Sequence, residues 1–202
     1  MQKNWYFVRH GQTDYNKMGI VQGSGVDSSL NKVGRAQAKA FYKHYKSIPF
    51  DKVITSALKR THETMKHFID DGLPWEQDAA INEMNWGIHE GQKSEPHMMK
   101  AYKVMIGSWA KGNIDARLPE GESAAELTAR LHGFINGLRK RPEKHLLICT
   151  HGRSLRCLMM LLKKQATVEM EAYKHSNTGV FKVVFDGEDI VVERENCVLH
   201  LG

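Results

Sequence analysis

Apolar residues along this chain gather in short dense runs, and longer stretches of helical spacing separate the runs. Trp5-Tyr6-Phe7-Val8, Lys52-Val53-Ile54-Thr55 and His145 to Cys149 are aromatic or β-branched runs of strand length, which predicts three buried strands. Leu30 to Tyr45 has helical spacing, with Leu30, Val33, Gln37, Ala40, Phe41 and His44 along one side. A second helix is predicted from a Thr55 or Ser56 cap to about Ile69, where Gly72-Leu73-Pro74 breaks the pattern. Ser123-Ala124-Ala125-Glu126 is a capping box opening a helix to about Lys140. Ser154 to Leu162 predicts another helix directly after the third strand. Val180 to Phe185 and Ile190 to Glu193 read as strands joined by the hairpin signal Asp186-Gly187. Gly11 to Asn31 reads as a long loop, Ala80 to Gly91 as irregular, and Pro96 to Ala110 as a helix with a Met-rich face.

Strands alternating with helices in this order predict a single-domain α/β three-layer sandwich. Its central sheet is mostly parallel and flanked by helices, with an antiparallel strand near the C-terminus. The 202 residues suit one such domain, 1–202, with an insertion or lid expected at about 81–119. An apolar fraction of 41% and a charged fraction of 26% argue against disorder. No stretch approaches the roughly 20 apolar residues that span a bilayer. The N-terminal apolar run is too short for a signal peptide, so a cytoplasmic location and no membrane partner are expected. Three cysteines without a C-x-x-C predict idle thiols and no disulfide framework. The net charge of +6 is scattered, which disfavours nucleic acid as a partner and leaves an anionic small molecule. Lys43, Lys46, Arg139, Arg141 and Lys144 read as solvated helix faces, and a monomer or homodimer is expected.

Candidate chemistry sits where two strands end alike, in Arg9-His10-Gly11 and in Thr150-His151-Gly152. Open α/β sheets bind ligands beyond the carboxyl ends of their strands, at a switch in strand order. The two His-Gly pairs face one another if their strands are neighbours, and are unrelated surface histidines otherwise. Arg9 offers a planar fork for phosphate oxygens, and Arg60 begins the helix after the second strand. Gly11, Gln12, Thr13, Asn16, Gln22 and Gly23 add donors in the loop between. A neutral imidazole is a nucleophile near pH 7, and phosphoryl transfer then depends mainly on positioning and charge. The chain has no P-loop, no G-x-S-x-G elbow, no H-E-x-x-H and no zinc-ligand spacing. No metal and no other cofactor is expected.

Arg9-His10-Gly11-Gln12-Thr13-Asp14-Tyr15-Asn16 resembles the R-H-G-x-T-x-x-N signature of the histidine phosphatase superfamily, which includes cofactor-dependent phosphoglycerate mutases. The likeness continues in order through Gln22-Gly23, Ser56 to Arg60 with Thr64, Asn82 to Gly87 with Glu90-Gly91, Pro119 to Ser123, and Thr150-His151-Gly152. The resemblance implies that His10 accepts the phosphoryl group. It implies that Arg9, Arg60 and His151 complete a positive pocket and that Glu83 is the general acid. Asn16, Gln22 and the Gly152 backbone would be lesser contacts, with Glu76, Glu90 and Glu95 as rivals to Glu83. The chain departs from the family at Asp27-Ser28-Ser29-Leu30-Asn31, which lacks a proline, at His89, and at Arg153. Arg153, with Arg156 a turn later, could reach a second anion on the substrate or lie solvated at the helix start.

The expected activity is metal-independent hydrolysis of a small phosphorylated metabolite or other phosphate ester through phosphohistidine on His10. A phosphoglycerate mutase is the alternative, and a weakly catalytic regulatory binding module a third reading. The mutases of the family tend to carry more sequence between the acid and the second His-Gly, as cover against water, and a longer tail. Both are short here, which favours hydrolysis.

Overall fold

Successive side chains of a strand point to opposite faces, and the first strand buries both. In β1 (Lys3–Arg9), Trp5 and Phe7 join one apolar cluster while Tyr6 and Val8 join another. The computed structural model describes residues 2–202. In it β2 (Lys52–Thr55), β3 (Trp75–Gln77), β4 (His145–Thr150), β5 (Val180–Phe185) and β6 (Ile190–Cys197) complete one sheet of order β3-β2-β4-β1-β5-β6. β1, β4, β2 and β3 run parallel, and β5 lies antiparallel to both β1 and β6. The same alternation recurs in β4, with Leu146 and Ile148 on one side and Leu147 and Cys149 on the other. Such continuous apolar runs mark strands covered on both faces.

Helices supply the cover, namely α2 (Lys32–Tyr45), α3 (Lys59–Asp70), α4 (Pro96–Ala110), α5 (Ala124–Lys140) and α6 (Gly152–Leu162), whereas the short α1 (Asp14–Met18) adds no buried residue. Phe41 of α2 and Met65 and Phe68 of α3 close one face of the sheet. Leu127, Leu131 and Leu138 of α5 and Leu155, Leu158 and Leu162 of α6 close the other. The segment 81–119 shares that second core through Ile81, Met84, Met105, Trp109 and Leu118, whereas Met99 is exposed. Cys149 and Cys157 are buried free thiols and Cys197 is half-buried; burial pushes the Cys149 thiol up, and that of Cys157 up to about 11. Among the described residues no helix is long and apolar enough to cross a membrane.

Several local expectations change. The long loop after His10 contains α1, held by a capping box between Thr13 and Asn16 and ended by Gly19 at φ 67°. β3 follows the Gly72-Leu73-Pro74 break as a short edge strand. Neither Thr55 nor Ser56 caps α3, whose N-cap is Leu58 with no side-chain bond. α6 starts at Gly152, earlier than its apolar pattern suggests. Arg141 is not simply solvated, because it pairs with Glu76 and Glu143 beside Lys52.

The site loop is tied to α2 by a close approach of two glycines. Asn31 caps α2 by accepting from Gly34 N (2.9 Å), and its own N–H donates to Gln12 O (3.0 Å). A Cβ on Gly34 would stand 2.1 Å from Gln12 O, and one on Gly11 would stand 2.7 Å from Gly34 O. Gly34→Ala should therefore lower stability by about 1–3 kcal/mol, the usual cost of overpacking. Gly133 in α5 has nothing within 4 Å of a built Cβ, so Gly133→Ala should raise stability by about 0.5–1 kcal/mol. Denaturant midpoints of the two variants should move in opposite directions.

Candidate active site

Because β4 inserts between β1 and β2, three carboxyl ends stand side by side. Arg9 pairs with Thr150 and Thr55 with Cys149 across the two ladders. Arg9-His10, His151 and Ser56 with Arg60 are thus delivered to one edge. The two His-Gly pairs do face each other, with ring centroids of His10 and His151 5.2 Å apart.

His10 is held from several sides. Its backbone N–H donates to Thr150 O (3.0 Å), its carbonyl accepts from Asn177 Nδ2 (2.9 Å), and Gly11 N–H donates to Thr64 Oγ1 (2.9 Å). Its Nδ1 lies 2.7 Å from Gly11 O. A carbonyl only accepts, so Nδ1 carries the proton and Nε2 keeps a free lone pair. Burial, then the charges of Arg60 and Arg9, hold His10 well below the usual histidine range. The ring is neutral.

His151 is fixed in the other tautomer. Arg60 Nε–H donates to its Nδ1 (3.1 Å), so Nε2 bears the proton and faces Ser56 Oγ at 2.7 Å. Burial and Arg60 also hold His151 well below 6.5. It is neutral, so the positive charge of the pocket comes from the arginines.

Arg60 is wholly buried. Its guanidinium donates to Val26 O (2.6 Å), Gly23 O (3.2 Å) and His151. Those bonds engage three of its five N–H groups. Arg9 donates through Nη1 to His175 O (2.7 Å), while its buried Nε has no partner. Desolvation lowers Arg60 and brings Arg9 down to about 10, still charged, and Glu83 is the strongest opposing charge felt by both. Buried guanidinium donors without acceptors mark a place shaped for an anion.

The Glu83 carboxyl caps the start of α6 from outside. Oε2 accepts from Arg153 N (3.1 Å), and Oε1 from Ser154 N (3.1 Å) and Met84 N (2.9 Å). The bonds from Arg153 and Ser154 satisfy N–H groups that the start of α6 leaves open. The rivals of Glu83 are engaged in other contacts. Glu76 pairs with Lys52 and Arg141, Glu95 is exposed beside His97, and Glu90 accepts from Gly25 N (2.8 Å) and Trp86 N (2.9 Å).

Gln22 accepts from Thr13 Oγ1 (3.0 Å) and Ser28 Oγ, leaving its buried Nε2 without a partner. A Cβ on Gly23 would stand 2.6 Å from the backbone Met84 O as well as on the Glu90 carboxylate, so only glycine fits there. Asn16 Oδ1 closes the α1 capping box. Gly152 opens α6, and a Cβ there would meet His175 Cε1 at 3.3 Å and Arg9 Nε at 3.6 Å. Arg153 is buried and held by Glu171 and Tyr102, not solvated, and Arg156 pairs with the same glutamate (2.8 Å). Sequence reasoning missed Ser56 as a partner of His151, and also His175 and Asn177. The latter two belong to the polar run His175-Ser176-Asn177-Thr178 ahead of β5, whose only signal was its place at a strand start. Burial and Arg9 bring His175 down to about 4, and its Nδ1 is buried without a partner.

The chain is similar to known proteins over nearly its whole length. A Brucella melitensis 2,3-bisphosphoglycerate-dependent phosphoglycerate mutase is 31% identical over 189 residues, 89% of this chain and 90% of the relative. A candidate phosphoserine phosphatase of Hydrogenobacter thermophilus is 28% identical over 199 residues, 98% of this chain and 97% of the relative. The α-ribazole phosphatase of Shigella flexneri shares the fold, with a TM-score of 0.85 at 22% identity over 96% of each chain. The family model of the histidine phosphatase superfamily, branch 1, matches residues 5–198. The chain belongs to that superfamily.

Proposed function

We propose that this enzyme hydrolyses phosphate monoesters through a phosphohistidine on His10 Nε2, with the charge of the reacting group met by Arg9 and Arg60. The observation that carries the reading is the tautomer of His10. Its Nδ1–H is committed to Gly11 O, so the remaining nitrogen is a neutral nucleophile beside two guanidinium groups with unpartnered donors.

In the first step the Nε2 lone pair attacks phosphorus and the P–O ester bond breaks. Glu83 gives a proton to the departing alkoxide, and the alcohol leaves. In the second step water attacks the phosphohistidine, its proton passes to Glu83, the P–N bond breaks, and inorganic phosphate and neutral His10 are regained. Glu83 Oε2 accepts from a single N–H, which leaves a lone pair for that proton. His151 acts as a positioning residue, holding Arg60 by its Nδ1 and anchored to Ser56 by its Nε2. The likeness to a mutase keeps a second acceptor in view, in which a phosphoglycerate takes the place of water.

Three outcomes test these assignments. Purified protein should hydrolyse p-nitrophenyl phosphate in EDTA and trap acid-labile, base-stable phosphate from labelled substrate, and His10→Ala should lose both. Label retained in His10→Ala, or activity restored only by a divalent metal, would refute the reading. Transfer of phosphate to 3-phosphoglycerate at ordinary enzyme rates, about 10 s⁻¹, would establish the mutase instead.

Glu83→Gln should cost little with p-nitrophenyl phosphate, whose phenolate leaves unaided. With an alkyl phosphate the loss in kcat/KM should reach about 10²-fold or more, as for general acid catalysis. Equal losses on both esters would make Glu83 structural.

The buried histidines also set a pH dependence of stability. The folded-state pKa of His10 lies below its unfolded value of 6.5. Below about pH 6.5 the unfolded chain therefore takes up a proton that the folded chain refuses, and stability falls as the pH drops. His151 and His175 act in the same direction. Urea midpoints should decline from pH 7 toward pH 5, and less steeply in His10→Ala, by at most about 1.4 kcal/mol per pH unit. Identical slopes would mean that His10 titrates normally.

A further inference from the structure

A cavity of about 270 Å³ opens beside Gln22, between the loop that carries Glu83 and helix α4. Its walls are Val21, Trp86, Met98, Met99, Tyr102 and Leu118. Gln22 joins the cavity to the reacting centre, because the next residue, Gly23, is bound through its carbonyl to Arg60. Trp86 lies on the loop that follows Glu83, and Arg153, whose N–H donates to Glu83, sits with its guanidinium 5.7 Å from the Trp86 ring. Two of its walls, Gln22 and Trp86, thus belong to the segments that carry the Arg60 contact and Glu83, which is the side from which the alcohol half of an ester would be received. An apolar cavity of roughly 150 Å³ accepts a benzene ring, so this one has room for an aromatic ring with a short linker.

Charge at this wall is already committed. Arg153 is in contact with Glu171 and the Tyr102 hydroxyl, and its guanidinium lies within 5.8 Å of the Trp86, Tyr102 and Trp109 rings. The other oxygen of Glu171 takes Arg156 Nη1 at 2.8 Å. Arg156 Nε has no partner, but Arg156 lies close enough to lower the pKa of Arg9, which puts its residual charge at the phosphoryl end. A carboxylate on the leaving group would enter a cavity with no lysine or arginine in its lining, and burying such a charge unpaired is strongly unfavourable. His89, Ser94 and Gln22 supply polar edges that can orient a ring substituent or linker oxygen.

We infer that the preferred substrates are monoesters of uncharged, apolar alcohols, aromatic ones above all, and that Glu171 sets this choice by occupying Arg153 and Arg156. The inference rests on the phosphatase reading and names the substrate class of that same site. Esters of primary alcohols need similar help in leaving, so comparing 2-phenylethyl phosphate with ethyl phosphate isolates the cavity. The kcat/KM ratio should be about 10-fold or more in favour of the aromatic ester, the scale on which apolar pockets discriminate. 3-Phosphoglycerate and O-phosphoserine should fall below ethyl phosphate. Glu171→Gln should raise the ratio of 3-phosphoglycerate to ethyl phosphate roughly 10-fold, the scale of a hydrogen bond to a charged group. A ratio near one for the two neutral esters, or a preference for either carboxylated ester, overturns the substrate class. An unchanged ratio in Glu171→Gln overturns the role of Glu171. If no alkyl ester turns over, the phosphatase reading fails by itself. Calorimetric binding of the same two neutral esters to His10→Ala then decides the cavity, and equal affinities overturn it.

Discussion

Two guanidinium groups, that of Arg60 wholly buried and that of Arg9 partly so, lie at the carboxyl edge of the sheet, and much of the surrounding structure serves to hold their charge there. A buried cation is tolerated only when its donors find acceptors. Arg60 finds them in Val26 O, Gly23 O and His151 Nδ1, which requires the segment 22–27 to fold across the start of α3. That fold in turn needs glycine at position 23, where the backbone carbonyl of Met84 leaves no room for a Cβ. Arg9 finds His175 O and leaves its remaining donors open. The unmet donors are the chemistry of the site.

Hydrogen-bond direction propagates from those arginines. A guanidinium can only donate, so His151 must accept at Nδ1 and carry its proton at Nε2, toward Ser56. A carbonyl can only accept, so His10 must carry its proton at Nδ1. The two rings sit close together in opposite tautomers, and desolvation keeps both neutral. Rigid backbone atoms fix His10, and a charged side chain fixes His151.

The parts of this design that follow a periodic pattern were legible in the sequence. Alternating faces in Trp5 to Val8 and Leu146 to Cys149, and the capping box at Ser123, gave the layers, and the repeated His-Gly ends gave the edge on which the site is built. The order of strands was not legible, because nothing local says that β4 enters between β1 and β2 rather than beside them; the residue-by-residue resemblance supplied that expectation indirectly. Short polar segments were least readable. Ser56 has the composition of a helix cap, yet its hydroxyl holds a histidine from a strand 95 residues away. Likewise Arg153 looks like a helix-start cation, but a carboxylate and three aromatic rings from other elements enclose it.

The sealed thiols described with the core have a consequence for when such an enzyme can work. Cys149 and Cys157 are buried and resistant to forming thiolates, the form that peroxide attacks. Imidazole and guanidinium groups do not climb the sulfur oxidation ladder. Phosphatases that depend on a reactive cysteine are lost under oxidative stress, whereas a phosphate-releasing step of the kind proposed for His10, Arg9 and Arg60 uses no thiol and would continue under the same conditions.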